Sequence, residues 1–239
     1  MNNINLIEKI GRKAKIASAK LLNIDADTKN NALKKASELI LLSSNKLIKA
    51  NAIDIQNATK NKIASWKVDR LTITLESIEN IVSSIKEIIA LEDPIGKILS
   101  AWKRPNGLQI QKISVPIGVI GMIYESRPNV TVDASAIAFK SSNAVILRGG
   151  KDSFHTSKAF FDIINESFTK SGIPENTIQM IPVTSRSAID QMLQLESYID
   201  IIIPRGGKEL IQTIKQKSLI PVIKHLDGIC HVYVDGDAN

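Results

Sequence analysis

The sequence has a single cysteine, few aromatic residues and no long apolar run. The lone thiol, Cys230, excludes an internal disulfide and any site built from several thiolates, and it fits a reducing cytosol. Aromatic residues make up only 4% of the 239 residues, which leaves few rings for stacking on bases. The best apolar run, 115–124, contains proline and glycine and is far shorter than the roughly 18 residues of a membrane span. We therefore expect a cytoplasmic protein that neither spans a membrane nor binds nucleic acid.

Two common nucleotide-binding motifs and a usual zinc site are also missing. The sequence contains neither GxGxxG nor GxxxxGK[ST], so standard Rossmann dehydrogenases and P-loop nucleotidases lose support. His225, Cys230 and His231 do not have the spacing of zinc ligands. We predict no metal site, a buried Cys230 on a strand and a half-buried His231. Cys230 as a reactive nucleophile is the alternative, although no activating group is evident.

The composition that is present is typical of a globular chain, with 44% apolar and 23% charged residues. The net charge of +7 suits a polyanion. Because the basic residues are scattered, a phosphate-bearing small molecule fits as well as nucleic acid does.

Three regions follow one another along the chain. Apolar residues at helical spacing predict a helical layer over 1–100, with Asp27 or Thr28 capping its second helix. The turn residues 105–107, between β-like runs, predict a hairpin over 101–116. Beyond it, from 117 to 239, strands alternate with helices, which is typical of a parallel sheet covered on both faces. The predicted strands are 117–123, 144–147, 178–182, 199–203 and 231–234, and the predicted helices are 133–141, 153–169, 186–194 and 208–217.

Two of the predicted strands end in the same pattern, a basic residue, two glycines and a lysine before a helix. The segments are Arg148-Gly149-Gly150-Lys151 and Arg205-Gly206-Gly207-Lys208, and Ser153 follows the first. Free backbone N–H groups and the helix dipole at such a helix start favour phosphate. The pair of segments suggests one dinucleotide held at two points. Ordinary glycine turns with solvated cations are the alternative for each segment taken alone.

A third polar segment, YESRPNVTVD at 124–133, follows the first strand of the sheet. Arg127 can bind a carboxylate or phosphate, and Asn129 can donate to a developing oxyanion. The alternative is a turn in which Thr131 or Asp133 caps the next helix.

Three motifs, one of them in the N-terminal helical region, carry a family resemblance that extends over nearly the whole chain. KANAIDI, YESRPNVT and IIPRGGK resemble the gamma-glutamyl phosphate reductases, a family within the aldehyde dehydrogenase superfamily. The resemblance implies an α/β fold with a Rossmann-type parallel sheet flanked by helices, an N-terminal helical layer and an oligomerisation hairpin. It also implies NADPH-dependent reduction of L-glutamate 5-phosphate to L-glutamate 5-semialdehyde, with release of phosphate, in L-proline biosynthesis.

The resemblance assigns roles to several residues. Arg148 and Lys151 fall beside the adenosine ribose, where a cation would favour the 2′-phosphate of NADPH. Gly206 and Gly207 fall at the helix start that faces the pyrophosphate, and Asn129 corresponds to the oxyanion asparagine. A homo-oligomer is implied, and glutamate 5-kinase is a candidate partner.

The family's nucleophilic cysteine is expected beyond Asn239, in a separate catalytic domain, and Cys230 matches a different and non-nucleophilic position. The chain is therefore expected to be an N-terminal part of the enzyme, with an incomplete cofactor domain over 117–239. The alternative is a non-catalytic fragment that binds NADPH or a partner.

Overall fold

A computed structural model describes residues 3–223 and 230–237. Within these ranges the chain forms nine α-helices and six β-strands. The helices are α1 Asn3–Leu21, α2 Ala26–Leu42, α3 Ser44–Lys60, α4 Ser65–Leu71, α5 Leu75–Ala90, α6 Val130–Lys140, α7 Phe154–Lys170, α8 Arg186–Met192 and α9 Lys208–Lys217. The strands are β1 Ile98–Lys103, β2 Gln109–Ile113, β3 Val119–Tyr124, β4 Ala144–Arg148, β5 Ile178–Met180 and β6 Ile201–Arg205.

Helices α1, α2 and α5 form where the apolar spacing predicts them, and α2 and α5 begin at polar side-chain caps. Asp25 caps α2, because its carboxylate accepts from the backbone N–H of Thr28 at 2.7 Å. The prediction of Asp27 or Thr28 as the cap is wrong, since Thr28 supplies the donor and Asp27 lies inside the first turn. Thr74 and Ser77 cap α5 reciprocally, and the buried face of this helix packs into the core.

The predicted hairpin is present and begins slightly earlier than expected. Strands β1 and β2 pair antiparallel, with Trp102 opposite Ile110. Pairing extends to Ile98 opposite Ile113, across an irregularity, which moves the start of the hairpin from 101 to 98. Ile98 and Trp102 remain 58% and 46% exposed. The hairpin therefore projects from the described body of the chain with apolar side chains uncovered.

The four remaining strands form a parallel sheet in the order β5-β4-β3-β6, which confirms the α/β class. The crossovers through α6 and α7 run in one direction across the sheet, and the crossover through α8 runs back in the other. Because such crossovers are right-handed, α6 and α7 cover one face and α8 the opposite face. Helices α2, α3 and α5 pack over α6 and α7, while α1 contacts α8 and the strands.

The predicted strand at 231–234 is wrong. Residues 230–235 have no ladder partner among the described residues, and Tyr233 is 87% exposed. Among residues 3–223 and 230–237, an isolated parallel bridge between Ile202 and Val222 is what extends the sheet beside β6. An alternating apolar pattern becomes a strand only when a neighbouring edge supplies hydrogen bonds, and no described strand lies beside this segment.

The helical layer and the sheet share one core. Its buried side chains run from Ile7 in α1 to Ile220 after α9. Lys29 is 1% exposed within this core, where its ammonium pairs with the carboxylate of Asp93 and donates to Ser142 Oγ at 3.0 Å. Burial raises the pKa of Asp93, but the hydrogen bonds from Lys29 and the backbone outweigh burial and leave that pKa lowered. Over the described residues, no helix has the length and apolar character needed to cross a membrane.

Candidate functional site

The site lies where the chain changes direction across the sheet. Strand β3 has β4 on one side and β6 on the other. At such a switch point the loops after the two strands diverge and leave a crevice at their carboxyl ends. Here the loop after β3 begins at Glu125 and the loop after β6 at Gly206. The backbone N–H of Glu125 donates to the carbonyl of Arg205 at 3.1 Å, so both loops start side by side.

A groove of about 1030 Å³ opens over this crevice, at the upper end of the size of small-molecule sites. It brings together three of the predicted segments. The predicted site residues that line it are Arg127, Arg148, Gly150, Lys151, Arg205, Gly206 and Gly207. Asn129, Gly149, Ser153 and Lys208 do not line it.

The electrostatics of the groove are dominated by unpaired cations. Six lining cations form no ion pair with another described residue, namely Lys67, Arg70, Arg127, Lys151, Arg186 and Arg205. Of the two remaining lining cations, Lys217 is paired with the lining carboxylate Asp190 at 2.8 Å, and Arg148 donates to backbone carbonyls. Four carboxylates also line the groove, namely Glu125, Asp152, Asp190 and Glu209, so lining cations outnumber carboxylates eight to four. This excess of positive charge favours an anionic ligand that carries several charges.

The start of α9 is an anion-binding element that an internal carboxylate occupies. The backbone N–H of Gly207 donates to Glu125 Oε2 at 3.0 Å. A Cβ on Gly206 would lie 2.6 Å from the same oxygen and 2.6 Å from Leu210 Cδ2, so glycine permits this close approach. Because the N-terminus of a helix carries partial positive charge, a phosphate would compete with Glu125 for these N–H groups.

The segment after β4 has the same sequence pattern but a different structure. Arg148 is only 7% exposed, and its guanidinium donates to the carbonyls of Gly149, Thr184 and Ser185 at 2.9, 2.7 and 3.2 Å. Burial lowers the pKa of Arg148, an effect that the Glu125 carboxylate partly offsets. Arg148 therefore joins two loops of the groove and does not present a free fork to a ligand.

Gly149 lies against a buried ring. A Cβ at this position would be 3.0 Å from both Cζ and Oη of Tyr124. The Tyr124 hydroxyl lies 2.7 Å from Thr131 Oγ1, and burial raises the pKa of the phenol. This glycine is thus required for packing, whereas Gly150 faces the groove.

The start of α7 is closed by a carboxylate from the helical layer. Asp54 of α3 accepts from the backbone N–H groups of His155 and Thr156 at 3.1 and 2.8 Å, and from Thr156 Oγ1 at 2.6 Å. Asp54 is 1% exposed. Ser153 is fully buried just before this helix, and its hydroxyl has no hydrogen-bond partner among the described residues. The first of the two predicted phosphate contacts is therefore not an open helix start.

The YESRPNVTVD segment places Arg127 in the groove and Asn129 behind it. Arg127 is exposed, while Asn129 is partly buried and donates from Nδ2 to Asp133 Oδ2 at 3.1 Å. Burial raises the pKa of Asp133, and the hydrogen bond from Asn129 offsets part of that rise. Neither Thr131 nor Asp133 caps α6, which begins at Val130 after Asn129 without a side-chain cap.

The predictions for the cysteine and its neighbours are wrong where the structure describes them. Cys230 is exposed and lies outside any strand, and His231 is exposed as well. Their burial depended on the strand at 231–234, which does not form. His225 lies outside the described residues. Over 3–223 and 230–237, no three potential metal ligands of the His, Cys, Asp or Glu type cluster together.

The groove also contains residues that the sequence did not reveal as functional. Trp66, Lys67 and Arg70 of α4 line it, as does Arg186 at the start of α8. Helix α4 has seven residues within the N-terminal helical region, far in sequence from the glycine-rich segments. An exposed tryptophan four residues before an arginine is the one signal that could have pointed to it.

Comparison with known proteins identifies the family. Residues 3–239 match the aldehyde dehydrogenase family model. The chain belongs to the aldehyde dehydrogenase family. This family member is 48% identical over 241 residues to gamma-glutamyl phosphate reductase of Clostridium tetani, an alignment that covers 100% of this chain and 56% of the relative. The resemblance drawn from the sequence motifs is thereby confirmed.

Solved structures of gamma-glutamyl phosphate reductases share the fold of this aldehyde dehydrogenase family member. The enzyme of Thermotoga maritima is 36% identical with a TM-score of 0.88, over 90% of this chain and 52% of that one. The enzyme of Saccharomyces cerevisiae is 32% identical with a TM-score of 0.85, over 93% of this chain and 56% of that one. The chain spans about half the length of the relatives it matches.

Proposed function

We propose that this chain binds NADP(H) in the groove and serves the NADPH-dependent reduction of L-glutamate 5-phosphate to L-glutamate 5-semialdehyde, with release of phosphate. This is the L-proline biosynthetic step of a glutamate-5-semialdehyde dehydrogenase. The observation that carries the proposal is a groove with six unpaired cations at the switch point of a parallel sheet. The likeness to gamma-glutamyl phosphate reductases supplies the substrate class.

The groove residues fit a phosphorylated dinucleotide. The Gly206-Gly207 backbone and Arg205 offer donors and charge for the pyrophosphate at the start of α9. Lys151 is exposed in the groove, where Coulomb attraction favours a 2′-phosphate and therefore NADPH over NADH. When bound, the nicotinamide supplies the hydride for the reduction.

The polar residues after β3 would act on the substrate side. Arg127 has an exposed, unpaired guanidinium suited to the carboxylate or phosphate of L-glutamate 5-phosphate. Asn129 Nδ2 donates one hydrogen to Asp133, and the second N–H of the amide is the one that would donate to an oxyanion. Arg148 positions the loops at 149 and 184–185 by its three hydrogen bonds.

A binding-only role is the second candidate, and one observation favours it. No cysteine lines the groove among the described residues, because Cys230 lies in the exposed segment after 229. Acyl-phosphate reduction through a thioester needs a thiolate.

We further propose a cytoplasmic location, self-association through the β1–β2 hairpin and glutamate 5-kinase as a partner.

Calorimetric titration of the 239-residue chain tests the cofactor assignment. We expect saturable binding of NADP⁺ that is tighter than binding of NAD⁺. Lys151→Gln is expected to cut this preference about tenfold, since a charge-assisted contact to phosphate is lost. Lys60→Gln, at an exposed position on α3, is the matched control and should leave the preference unchanged. Equal affinity for both dinucleotides in the wild type would contradict the NADP assignment.

A turnover assay separates the enzyme from the binding-only role. The reverse reaction is followed by NADPH absorbance, with L-glutamate 5-semialdehyde, phosphate and NADP⁺. We expect the isolated chain to bind NADP⁺ without turnover. Turnover that Cys230→Ala abolishes would instead make Cys230 the nucleophile.

A further inference from the structure

Helix α4 presents a basic and aromatic face to the groove. Trp66 is 52% exposed, and Arg70, four residues later, has its Cζ 4.8 Å from the centre of the tryptophan ring. Lys67 Nζ lies 5.4 Å from the same centre. Residues four apart share one helix face, and a guanidinium over an indole gains a cation–π attraction. The ring therefore favours an orientation in which the guanidinium of Arg70 packs on the indole.

Neither cation of this face is neutralised within the described part of the chain. Arg70 and Lys67 form no ion pair with another described residue. Both of them line the groove together with Trp66. Arg70 is exposed, so its guanidinium is accessible to a ligand. A planar fork of donors placed in this way is suited to bind two oxygens of one phosphate group.

Buried side chains of α3 fix α4 beside the segment that carries Lys151. Asn51 is 4% exposed and donates from Nδ2 to the carbonyl of Leu71, the last residue of α4, at 2.7 Å. The same amide donates to Thr156 Oγ1 at 3.2 Å, and Thr156 is also bound by Asp54. Asn51 thus contacts both the end of α4 and the start of α7, and Asp54 holds the start of α7. Lys151 lies three residues before α7.

From this arrangement we infer that Arg70, oriented by Trp66, is a phosphate-binding residue of the groove contributed by the helical layer. Its ligand is a terminal phosphate group, and this identity rests on the proposed function. Two sources share that chemistry, the 2′-phosphate of the dinucleotide and the phosphate of L-glutamate 5-phosphate. Lys67 adds positive charge beside the same group.

Substitutions in the 239-residue chain test the contact by calorimetry. Arg70→Gln keeps a polar side chain at an exposed position and removes the charged fork. Arg12→Gln, at an exposed position on α1, removes the same charge outside the groove lining and is the matched control. The ligands are NADP⁺, NAD⁺ and inorganic phosphate, and phosphate is titrated with and without saturating NADP⁺.

Two results support the inference and identify the source. If the contact takes the 2′-phosphate, Arg70→Gln weakens NADP⁺ binding about tenfold and leaves NAD⁺ binding unchanged. If it takes the substrate phosphate, the variant keeps its NADP⁺ affinity and binds inorganic phosphate about tenfold more weakly. In both cases Trp66→Ala causes a smaller loss of affinity than Arg70→Gln, because the guanidinium of Arg70 remains but no longer packs on the indole. Unchanged affinities in Arg70→Gln, or equal losses in Arg12→Gln, would overturn the inference.

The proposed function can fail separately. Without saturable NADP⁺ binding by the wild type, the cofactor assignment falls. Phosphate binding that requires Arg70 would then still support the contact. If the wild type binds neither NADP⁺ nor inorganic phosphate, both the cofactor assignment and the Arg70 contact are overturned. Trp102→Phe leaves Trp66 as the only tryptophan, and quenching of its fluorescence by phosphate would provide an independent signal.

Discussion

The two segments with the pattern Arg-Gly-Gly-Lys differ in the surroundings of the arginine, of the first glycine and of the helix start. After β4, the arginine is buried, the first glycine packs on Tyr124, and Asp54 closes the helix start. After β6, Arg205 is exposed and the backbone N–H of Gly207 at the helix start donates to the exposed carboxylate of Glu125. The arginine and first glycine thus form a structural joint after β4, where Lys151 still faces the groove, and an anion site occupied by Glu125 after β6.

The difference arises from neighbours and not from local sequence. Strand β4 is interior, and its following helix runs beneath the helical layer, which supplies Asp54 and Asn51. Strand β6 lies at the margin of the four-stranded sheet, and α9 has a polar outer face. A glycine-rich turn becomes a ligand site only where no other part of the chain satisfies its backbone donors.

The largest expected effect concerns the carboxylate that closes α7. Asp54→Ala leaves two backbone N–H groups and the Thr156 hydroxyl unsatisfied in a buried position. The free energy of unfolding should fall by about 3 kcal/mol, measured by urea denaturation. Asp27→Ala, an exposed first-turn residue of α2, is the control and should cost less than about 0.5 kcal/mol. Equal losses would mean that Asp54 does not cap α7.

The two arginines of the pattern should respond in opposite ways. Arg148→Gln removes guanidinium bonds to three carbonyls and should lower the free energy of unfolding by about 2 kcal/mol. Arg205→Gln should leave stability within about 0.5 kcal/mol and weaken NADP⁺ binding about fivefold. Urea denaturation and calorimetry on both variants check this. The same response from both arginines would remove the distinction between joint and anion site.

Alanine at the first glycine of each segment gives a smaller contrast. Gly149→Ala pushes a methyl group against the ring of buried Tyr124 and should cost about 1–2 kcal/mol of stability. Gly206→Ala meets the flexible ends of Glu125 and Leu210, which can rotate away, and should cost under about 1 kcal/mol. Thermal and urea unfolding provide the measurement. A larger loss at Gly206 would show that its surroundings are the more rigid.

The smallest effect concerns the carboxylate at the start of α9. Glu125→Gln removes the charge that competes with a phosphate, so NADP⁺ affinity should rise about twofold to fivefold in calorimetry. Glu79→Gln, an exposed position on α5, removes an equal charge and should change nothing. Weaker binding in Glu125→Gln would instead make Glu125 a ligand contact.

Local patterns predicted the elements of this fold well. Helix α9 has the predicted bounds of 208–217, and β3 to β6 lie within two residues of their predicted starts. Periodicity and turn residues report such features because they depend on neighbours a few positions away. The segment at 231–234 shows the limit of local patterns. Its strand-like sequence pattern is present, but no described strand pairs with it.

The site was predicted in part, and the features that the prediction missed are contacts between residues far apart in sequence. The sequence named Arg127, Lys151 and the Gly206-Gly207 turn, which the structure brings to one groove. It could not show that Asp54 reaches Thr156, 102 positions away, or that Lys29 is buried against Asp93. Charged residues on amphipathic helices are usually solvated, so nothing in the local pattern marks these two as buried.

The contact between Asp54 and the start of α7 also bears on where this chain can be divided. A chain that began at residue 117 would keep all four strands of the parallel sheet. It would lose the cap of α7, and it would expose the faces of α6 and α7 that α2, α3 and α5 cover. The boundary between the helical region and the sheet is therefore a change of secondary structure within one cooperative unit, and proteolysis there should melt both parts together.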